Sequence, residues 1–429
     1  MPSIDTALEE AMDAFAARNP TSRALQVRAA AVMPGGNTRT VLFTRPFPLR
    51  VAKAQGATLT DADGHDYLDL LGEYSAGIYG HSHPRILEAA RAALEKGLNL
   101  GAHHEGEVKL AEVVTKRFHL DLVRFTNSGT EANMMALAAA RSFTGRRSIM
   151  PMEGGYHGGT LYFAHGASPV NAPFDCVMAR FNDVETTRRL IAENADELAA
   201  VILEPMLGSG GCIPASPEFL SMLREETARR GIVLIFDEVM TSRLHPGGLS
   251  EKFGIEPDLK TLGKYVGGGM SFGAFGGKRE IMELFDPTRP NSLPHAGTFN
   301  NNTLTMTVGA VAMTDIYTHE ACNELNARGN ILRAKLNDLF MRYQVKMKAT
   351  GQGSMICIHP AAHDITSPES LEKTDKRLRQ LLFLDLLEEG VYIAERGFMA
   401  LSLMVTDSDC ERLVEAVETH ITRRRDLQV

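Results

Sequence analysis

The chain has few cysteines and none of the spacings by which cysteine usually builds structure. The five cysteines are scattered and contain no CxxC pair; they are Cys176, Cys212, Cys322, Cys357 and Cys410. Disulfide frameworks use paired cysteines, and zinc sites use closely spaced ligands. We therefore expect neither a disulfide framework nor any metal site, and we expect a reducing compartment.

The sequence also lacks long apolar runs, long Lys/Arg blocks, internal repeats and low-complexity linkers. No apolar run approaches the length of a membrane-spanning helix, so we expect no membrane association. The formal net charge of −8 disfavours a nucleic-acid partner, because binding to backbone phosphates requires a basic surface. The N-terminal residues, MPSIDTALEEAMDAF, are acidic and amphipathic and resemble neither a signal nor a transit peptide. A cytoplasmic protein is the expectation.

What the sequence does contain is the composition and rhythm of a globular α/β protein. Its 429 residues, 44% apolar and 23% charged, are enough for two or three domains with substantial cores. Short apolar strands alternate with helical patterns and predict a mainly parallel sheet covered by helices. The predicted strands lie at residues 122–126, 149–152, 176–179, 201–204, 232–237 and 272–276. The C-terminal third predicts a smaller α+β domain.

The stretch from 231 to 277 holds the first candidate functional residues. Residues 232–236 are an unbroken apolar run, which predicts a strand buried on both faces. Asp237 and Glu238 follow at its carboxyl end. Ligands of open α/β sheets bind at this edge, so an acid there is placed for chemistry.

Lys264 is an isolated lysine in an apolar and glycine-rich segment, LGKYVG. Loss of solvation would lower the pKa of such an amine and make it a nucleophile. A buried acid together with this lysine fits pyridoxal phosphate (PLP) chemistry, in which the lysine binds the cofactor aldehyde and the acid keeps the pyridine nitrogen protonated. The alternative is a capping acid and a surface lysine. The glycines after Lys264 match neither a dinucleotide-binding fingerprint nor a Walker loop.

Two further segments allow a functional and a structural interpretation. Ser128, Gly129 and Thr130 open a predicted helix, whose N–H groups, hydroxyls and dipole suit a phosphate, although Ser128 and Glu131 also form a capping-box pattern. In the sequence GGYHGG, Tyr156 could stack on a planar cofactor or pack under a loop.

One histidine pair and two isolated arginines also allow a functional and a structural interpretation. The sequence GHSHP could bind metal through its two histidines, but a loop that fixes the start of the next helix is the favoured interpretation. Arg39 and Arg396 each lie in a turn or loop. Each could grip a carboxylate through two parallel hydrogen bonds or form a structural salt bridge.

Taken together, the chain resembles the class III aminotransferases of PLP fold type I. Five segments carry the resemblance, in the family's order and spacing: GHSHP, TNSGTEANMMAL, GGYHG, LIFDEVMTSR and LGKYVGGGMSFGAFGG. The resemblance implies a mainly parallel, seven-stranded-type central sheet with helices on both faces. It also implies a large PLP-binding domain over 58–309 and a small α+β domain built from 1–57 and 310–429.

The resemblance also assigns roles to residues. Lys264 would bind the cofactor covalently and move the proton during catalysis, and Asp237 would pair with the pyridine nitrogen. The remaining cofactor contacts would be Ser128, Gly129, Thr130, Tyr156, Val239 and Thr298. Thr298 would reach the phosphate of the neighbouring subunit, which implies a homodimer with shared active sites. Glu204 matches an acid near the cofactor without an assigned role, and His157 has none.

Within the class, the resemblance is to the branch of the β-amino acid aminotransferases and the glutamate-1-semialdehyde aminomutases. Residues 241–244, TSRL, and 297–302, GTFNNN, depart from the mutase pattern. Residues 37–43, NTRTVLF, and 396–398, RGF, are similar to those of β-phenylalanine aminotransferases. The resemblance implies transfer of the amino group of a β-amino acid to 2-oxoglutarate or pyruvate, and it favours an aromatic β-amino acid. Arg39 and Arg396 would bind substrate carboxylates.

Four alternatives stay open at this point. An aminomutase would need no keto acid acceptor, and an ω-amino acid or amine transaminase would accept other donors. A racemase or decarboxylase on the same scaffold would use the same cofactor to break a different bond. A non-catalytic cofactor-binding protein is disfavoured by the joint presence of Lys264, Asp237 and the phosphate-binding segment.

Overall fold

The computed structural model describes residues 3–164, 166 and 168–428. Its strands are β1 (Val51–Gln55), β2 (Thr58–Asp61), β3 (Asp66–Asp69), β4 (Leu122–Thr126), β5 (Ser148–Pro151), β6 (Leu198–Leu203), β7 (Met206–Leu207), β8 (Ile213–Pro214), β9 (Val233–Asp237), β10 (Leu259–Gly263), β11 (Gly273–Gly277), β12 (Lys348–Gln352), β13 (Met355–His359), β14 (Val391–Tyr392) and β15 (Phe398–Ala400).

The α-helices are α1 (Ile4–Arg18), α2 (Pro20–Ala30), α3 (Pro84–Lys96), α4 (Glu105–Phe118), α5 (Gly129–Thr144), α6 (Val184–Glu193), α7 (Pro217–Arg230), α8 (Gly248–Phe253), α9 (Arg279–Met282), α10 (Thr303–Val311), α11 (His319–Tyr343), α12 (Pro368–Glu372), α13 (Lys376–Glu388), α14 (Asp407–Arg423) and α15 (Arg425–Gln428). In the described part of the chain, no helix is long and apolar enough to cross a membrane.

The chain forms two compact units. The first contains residues 1–83, 327–365 and 370–429, and the second contains 84–326 and 366–369. The domain limits predicted from the sequence, 58–309 against 1–57 with 310–429, stay a prediction. The limits of the compact units lie elsewhere, because the strands before residue 83 belong to the sheet of the first unit.

The second unit is built around a six-stranded sheet in the order β4-β11-β10-β9-β6-β5. Strands β10, β9, β6 and β5 pair in parallel, whereas β11 is antiparallel to both β10 and β4. The mainly parallel sheet is therefore confirmed. The predicted strand at residues 176–179 contributes only isolated bridges, from Cys176 to Ile149 and from Ala179 to Met152.

Apolar and small side chains fix the packing of this sheet. All five residues of β9 and all six of β6 are buried, as expected for central parallel strands covered on both faces. Helix α5 packs against β10 and β11 through alanines such as Ala132, Ala136 and Ala140. Because alanine is small, the helix backbone can lie close to the sheet, and the first turn of α5 lies beside the ends of the strands.

The first unit contains two smaller sheets. One has the order β1-β2-β3-β14 and the other the order β12-β13-β15. Strands β1, β2 and β3 form an antiparallel meander, and β14 pairs with β3 in parallel. Helix α1 packs against α13 within this unit. Sheets and helices are thus mixed here, as the sequence predicts for the C-terminal third.

Candidate active site

The carboxyl ends of several parallel strands of the second unit carry the candidate functional residues. Strand β9 ends at Asp237, β6 is followed by Glu204, and β10 is followed by Lys264. Strand β4 leads into Ser128 at the start of α5. Since parallel strands end at the same edge of a sheet, these side chains surround one cavity.

Asp237 is buried and held by three hydrogen bonds. Its Oδ2 accepts from Asn133 Nδ2 at 2.8 Å and lies 2.8 Å from His157 Nδ1, and its Oδ1 accepts from the backbone N–H of Val239 at 3.0 Å. The side chain is 3% exposed. Donors on both oxygens stabilise an ionised carboxylate and fix its orientation.

Asn133 links Asp237 to two other segments. Its Nδ2 also donates to the carbonyl of His157 at 3.0 Å, and its Oδ1 accepts from Thr261 Oγ1 at 2.6 Å. Asn133 lies one turn after Gly129 in α5, on the side that faces the sheet. Sequence reasoning did not single it out, although a polar residue among the buried alanines of this helix was a usable signal.

His157 is a residue to which the sequence assigned no role. Its ring is buried, and in the described residues its Nε2 is buried without a hydrogen-bond partner. A carboxylate can only accept, so Nδ1 donates to Asp237. His157 therefore fixes the orientation of the Asp237 carboxylate through this hydrogen bond.

Glu204 is a buried acid near Asp237. Its Oε1 accepts from the backbone N–H of Tyr156 at 3.0 Å and its Oε2 from that of Gly208 at 3.0 Å. Burial, and after it the negative charge of Asp237, raise the pKa of Glu204 to about 7. Glu204 thus ties the Tyr156 loop to the end of β6 and binds its proton more tightly than an exposed glutamate.

Lys264 has an unusual backbone conformation for a non-glycine residue. It follows β10 directly with φ of 53° and begins a short 3₁₀ turn that ends at Gly267. A left-handed backbone conformation costs free energy at a residue with a side chain, and strain of this kind is found at functional sites. Its half-buried side chain lines the cavity.

The start of α5 confirms part of the capping interpretation. Ser128 is the N-cap, and its hydroxyl accepts from the N–H of Glu131 at 3.2 Å. Glu131 bonds back to the N–H of Asn127 at 2.9 Å, rather than to that of Ser128 as a capping box requires. Ser128, Gly129 and Thr130 all line the cavity, so capping does not turn this segment away from it.

Glycines bring the loops of the site close to α5. A Cβ atom on Gly129 would lie 2.9 Å from Val239 Cγ2, and one on Gly158 would overlap Thr130. Gly158 also has φ of 121°, which side-chain-bearing residues rarely adopt. Only glycine therefore lets these backbones approach as they do.

The cavity suits the cofactor expected from the sequence. It has a volume of about 250 Å³ and is lined by the ionised acid, the half-buried lysine and the helix N-terminus with two hydroxyls. Val239 is half-buried, and Tyr156 is 39% exposed beside the ring of Tyr162, 5.4 Å away. The N–H groups and hydroxyls suit the phosphate of PLP, and the aromatic and apolar side chains suit its ring. The acid suits the ring nitrogen, and the amine suits the aldehyde.

Thr298 does not share this cavity in the single chain. It lies at an exposed position in the segment before α10 and is absent from the cavity lining. The other predicted cofactor residues, Ser128, Gly129, Thr130, Tyr156, Asp237, Val239 and Lys264, all line it.

The two candidate carboxylate-binding arginines lie in the first unit. The guanidinium carbons of Arg39 and Arg396 lie 5.6 Å and 5.0 Å from the ring centroid of Tyr74. Arg39 forms an ion pair with Glu73, and Arg396 also lies 5.4 Å from the ring of Phe398. The structure thus brings the two arginines to one aromatic ring, although more than 350 residues separate them in sequence.

Comparison with known proteins gives a consistent result. The family model described as Aminotransferase class-III matches residues 43–421. The beta-phenylalanine transaminase of Variovorax paradoxus is 50% identical over 420 residues, which cover 98% of this chain and 96% of the relative. A glutamate-1-semialdehyde 2,1-aminomutase of Thermodesulfovibrio yellowstonii is 36% identical over 416 residues, covering 92% and 97%.

A solved structure agrees with the sequence relatives. The crystal structure of a beta-phenylalanine aminotransferase from Variovorax paradoxus superposes with a TM-score of 0.98 at 49% identity, and the match covers 99% of each chain. The fold type predicted from the sequence is thereby confirmed.

Proposed function

The chain belongs to the class III aminotransferases, and from this membership we propose that it transfers the amino group of an aromatic β-amino acid, such as β-phenylalanine, to 2-oxoglutarate or pyruvate. PLP is its cofactor. The observation that carries the proposal is the joint placement of Lys264 and Asp237 at one cavity, in a chain 50% identical to a beta-phenylalanine transaminase.

When bound, PLP supplies an aldehyde that takes up the amino group and a ring that accepts the electrons of the broken C–H bond. The residues that would hold it are those of the cavity. Asp237, fixed as an anion by Asn133 and His157, would keep the ring nitrogen protonated. The first turn of α5 would bind the phosphate, and Tyr156 and Val239 would lie against the two ring faces.

Lys264 would act twice. Its Nζ would first bind the cofactor aldehyde. Once the substrate amine has taken its place, Nζ would take and hold the proton of the substrate carbon that bears nitrogen. The left-handed backbone of Lys264 positions the side chain in the cavity, and this supports both roles.

Arg39 and Arg396 would bind the substrate carboxylates. An aromatic β-amino acid would place its carboxylate on one of them, and a dicarboxylate acceptor could use both. Both guanidinium groups lie near the ring of Tyr74, and the attraction between a cation and an aromatic face helps to hold them in fixed positions. This common contact supports the assignment.

The assembly belongs to the proposal as well. We propose a homodimer in which Thr298 of each chain reaches the cofactor phosphate of the other, supported by its exposure on its own chain. A cytoplasmic location is proposed from the five scattered cysteines, none of which forms a disulfide.

Measurement of amino transfer from β-phenylalanine to 2-oxoglutarate and to pyruvate tests the proposal. We expect turnover only when a keto acid is present. Formation of an isomer of the donor without a keto acid would favour an aminomutase, the function named for the 36% identical relative.

The Arg39→Ala variant tests the carboxylate assignment. Loss of a charge-assisted pair should raise KM for β-phenylalanine roughly 10- to 100-fold and leave 1-phenylethylamine, which has no carboxylate, nearly unchanged. Arg342→Ala is a matched control, because Arg342 also forms an ion pair with a glutamate, Glu418, and lies 5.4 Å from the ring of a tyrosine, Tyr343. An equal loss for both donors would remove Arg39 from the carboxylate site.

A further inference from the structure

Four consecutive residues of the first unit have a left-handed backbone. Gly72, Glu73, Tyr74 and Ser75 have φ of 54°, 47°, 52° and 79°. Three of the four carry side chains, for which this conformation is unfavourable, and runs of it are rarer still. Such strain persists only where the surrounding structure determines it, and it marks segments with a functional reason to exist.

Packing around Tyr74 holds the segment in place. The Tyr74 ring stacks on Phe398, with centroids 5.9 Å apart and an interplanar angle of 10°. Its hydroxyl donates to the carbonyl of Val41 at 3.1 Å. A Cβ on Gly72 would overlap the carbonyl of Ala400, so the segment starts at a position that only glycine can occupy.

The strained segment delivers one carboxylate to one of the two arginines. Tyr74 lies under the guanidinium groups of both Arg39 and Arg396, and the preceding residue, Glu73, forms an ion pair with Arg39. The regular alternative backbone would turn Glu73 and Tyr74 in other directions. The conformation therefore serves to place a ring and a carboxylate against the same cation.

The ion pair is open to exchange. The side chains of Arg39 and Glu73 are 42% and 57% exposed, and exposed pairs of this kind contribute little net stability. A ligand carboxylate can therefore replace Glu73 on Arg39 at small cost. A ligand without a carboxylate offers Arg39 nothing in exchange.

We propose that Glu73 is a specificity-determining residue that competes with the substrate carboxylate for Arg39. The inference rests on the proposed function, in which Arg39 binds that carboxylate. Glu73 is paired with the Arg39 guanidinium until a carboxylate ligand displaces it, so that Arg39 always has an anionic partner. Affinity for carboxylates is lowered in return, whereas the affinity for ligands without a carboxylate does not depend on Glu73.

The test is the Glu73→Gln variant, which keeps the side-chain size and removes the charge. Isothermal titration of the holoenzyme with 3-phenylpropionate, which has the ring and carboxylate but no amine, should show Kd about two- to five-fold lower than in the wild type. The neutral analogue 3-phenylpropanamide should bind both proteins equally. A structural role alone would alter both ligands or neither.

Two further variants separate the possible failures. Glu418→Gln removes the same charge from the matched pair with Arg342 and should leave both Kd values unchanged. In the Arg39→Ala background, adding Glu73→Gln should no longer lower the Kd of 3-phenylpropionate. If Arg39→Ala alone does not weaken 3-phenylpropionate, both the proposed carboxylate site and this inference are wrong. If it does, and Glu73→Gln leaves the carboxylate Kd unchanged or raises it, only the competition is wrong.

Discussion

Asp237 shows how a single residue of this site is specified by its neighbours. Asn133 and His157 both bind the same carboxylate oxygen, and the N–H of Val239 binds the other. The three donors fix the orientation of the carboxylate and favour its ionised form. An anion fixed in this way is what a protonated ring nitrogen requires as its partner.

Glu204 is the residue with the largest pH response that we expect in the site. Burial raises its pKa from 4.5 in the unfolded chain to about 7 in the folded protein. Between these values the unfolded chain releases the proton and the folded one retains it, so the wild type loses stability as pH rises from 4.5 to about 7. Relative to wild type, Glu204→Gln in the cofactor-free protein should therefore gain up to roughly 3 kcal/mol across this window.

Thermal melting of both proteins from pH 4.5 to 8 checks this expectation. Glutamine cannot accept from both the Tyr156 and Gly208 N–H groups, so a constant offset against the variant is expected, and only the slope is diagnostic. A difference in Tm that is the same at every pH would contradict the raised pKa of Glu204.

At this scale, sequence reasoning found the acid and the lysine but not their supports. Asp237 could be predicted because it closes an unbroken apolar run, and Lys264 because it is an isolated lysine in an apolar, glycine-rich segment. Asn133 and His157 reach Asp237 from segments 104 and 80 residues away in sequence. Their partner could be identified only once the strand order was known.

Among the elements, the first turn of α5 and the glycine-rich loop of residues 154–159 that contacts it depend on one another. Thr130 Oγ1 accepts from the N–H of Gly159 at 3.2 Å, and Gly158 lies against the Thr130 backbone. The loop thus holds the helix N-terminus, where we propose that the cofactor phosphate binds.

A pair of neighbouring glycines tests this contact. Gly158→Ala would force a methyl group into Thr130 and strain a residue with φ of 121°, so we expect it to lower the free energy of unfolding by about 1–3 kcal/mol and to weaken PLP binding. Gly159→Ala, where no atom lies within 4 Å of the added carbon, should change stability by less than about 0.5 kcal/mol. Equal effects of the two substitutions on PLP affinity would argue against the contact.

The elements themselves were largely predictable, and their pairing was not. The apolar runs that become β6 and β9 and the helix after Ser128 could be identified from periodicity alone. The segment from Gly273 to Gly277 also reads as a strand, but no local pattern shows that it runs antiparallel between β10 and β4. Residues 176–179 form only bridges, because strand propensity does not guarantee a continuous partner.

At the scale of the whole molecule, the proposed cofactor residues fall into two groups by their position in the single chain. Seven line one cavity of the second unit, and Thr298 is exposed elsewhere on the same unit. Neither sequence pattern nor a single chain can position a residue that acts across an interface. For this reason Thr298 could be named only through the family resemblance.

The proposed dimer has a testable consequence. The chain of 46.9 kDa should sediment at twice that mass, and Thr298→Ala should weaken PLP binding roughly 10-fold, the loss expected for one hydrogen bond to a charged group. Thr288→Ala is the control, because Thr288 is also exposed and bonds to Asp286. A monomer with full activity, or identical PLP affinity in both variants, would contradict the shared site.

The central claim is that Lys264 binds the PLP aldehyde, and trapping that bond tests it most directly. Borohydride reduction of the holoenzyme, followed by peptide mass spectrometry, should place the cofactor on Lys264, and Lys264→Ala should lose both the label and nearly all amino transfer, by at least about 10²-fold. Lys260, which is buried in β10 and donates to the carbonyl of Phe118, should stay unlabelled. Cofactor found on Lys260 or any other lysine, or retained after reduction of Lys264→Ala, would contradict the account.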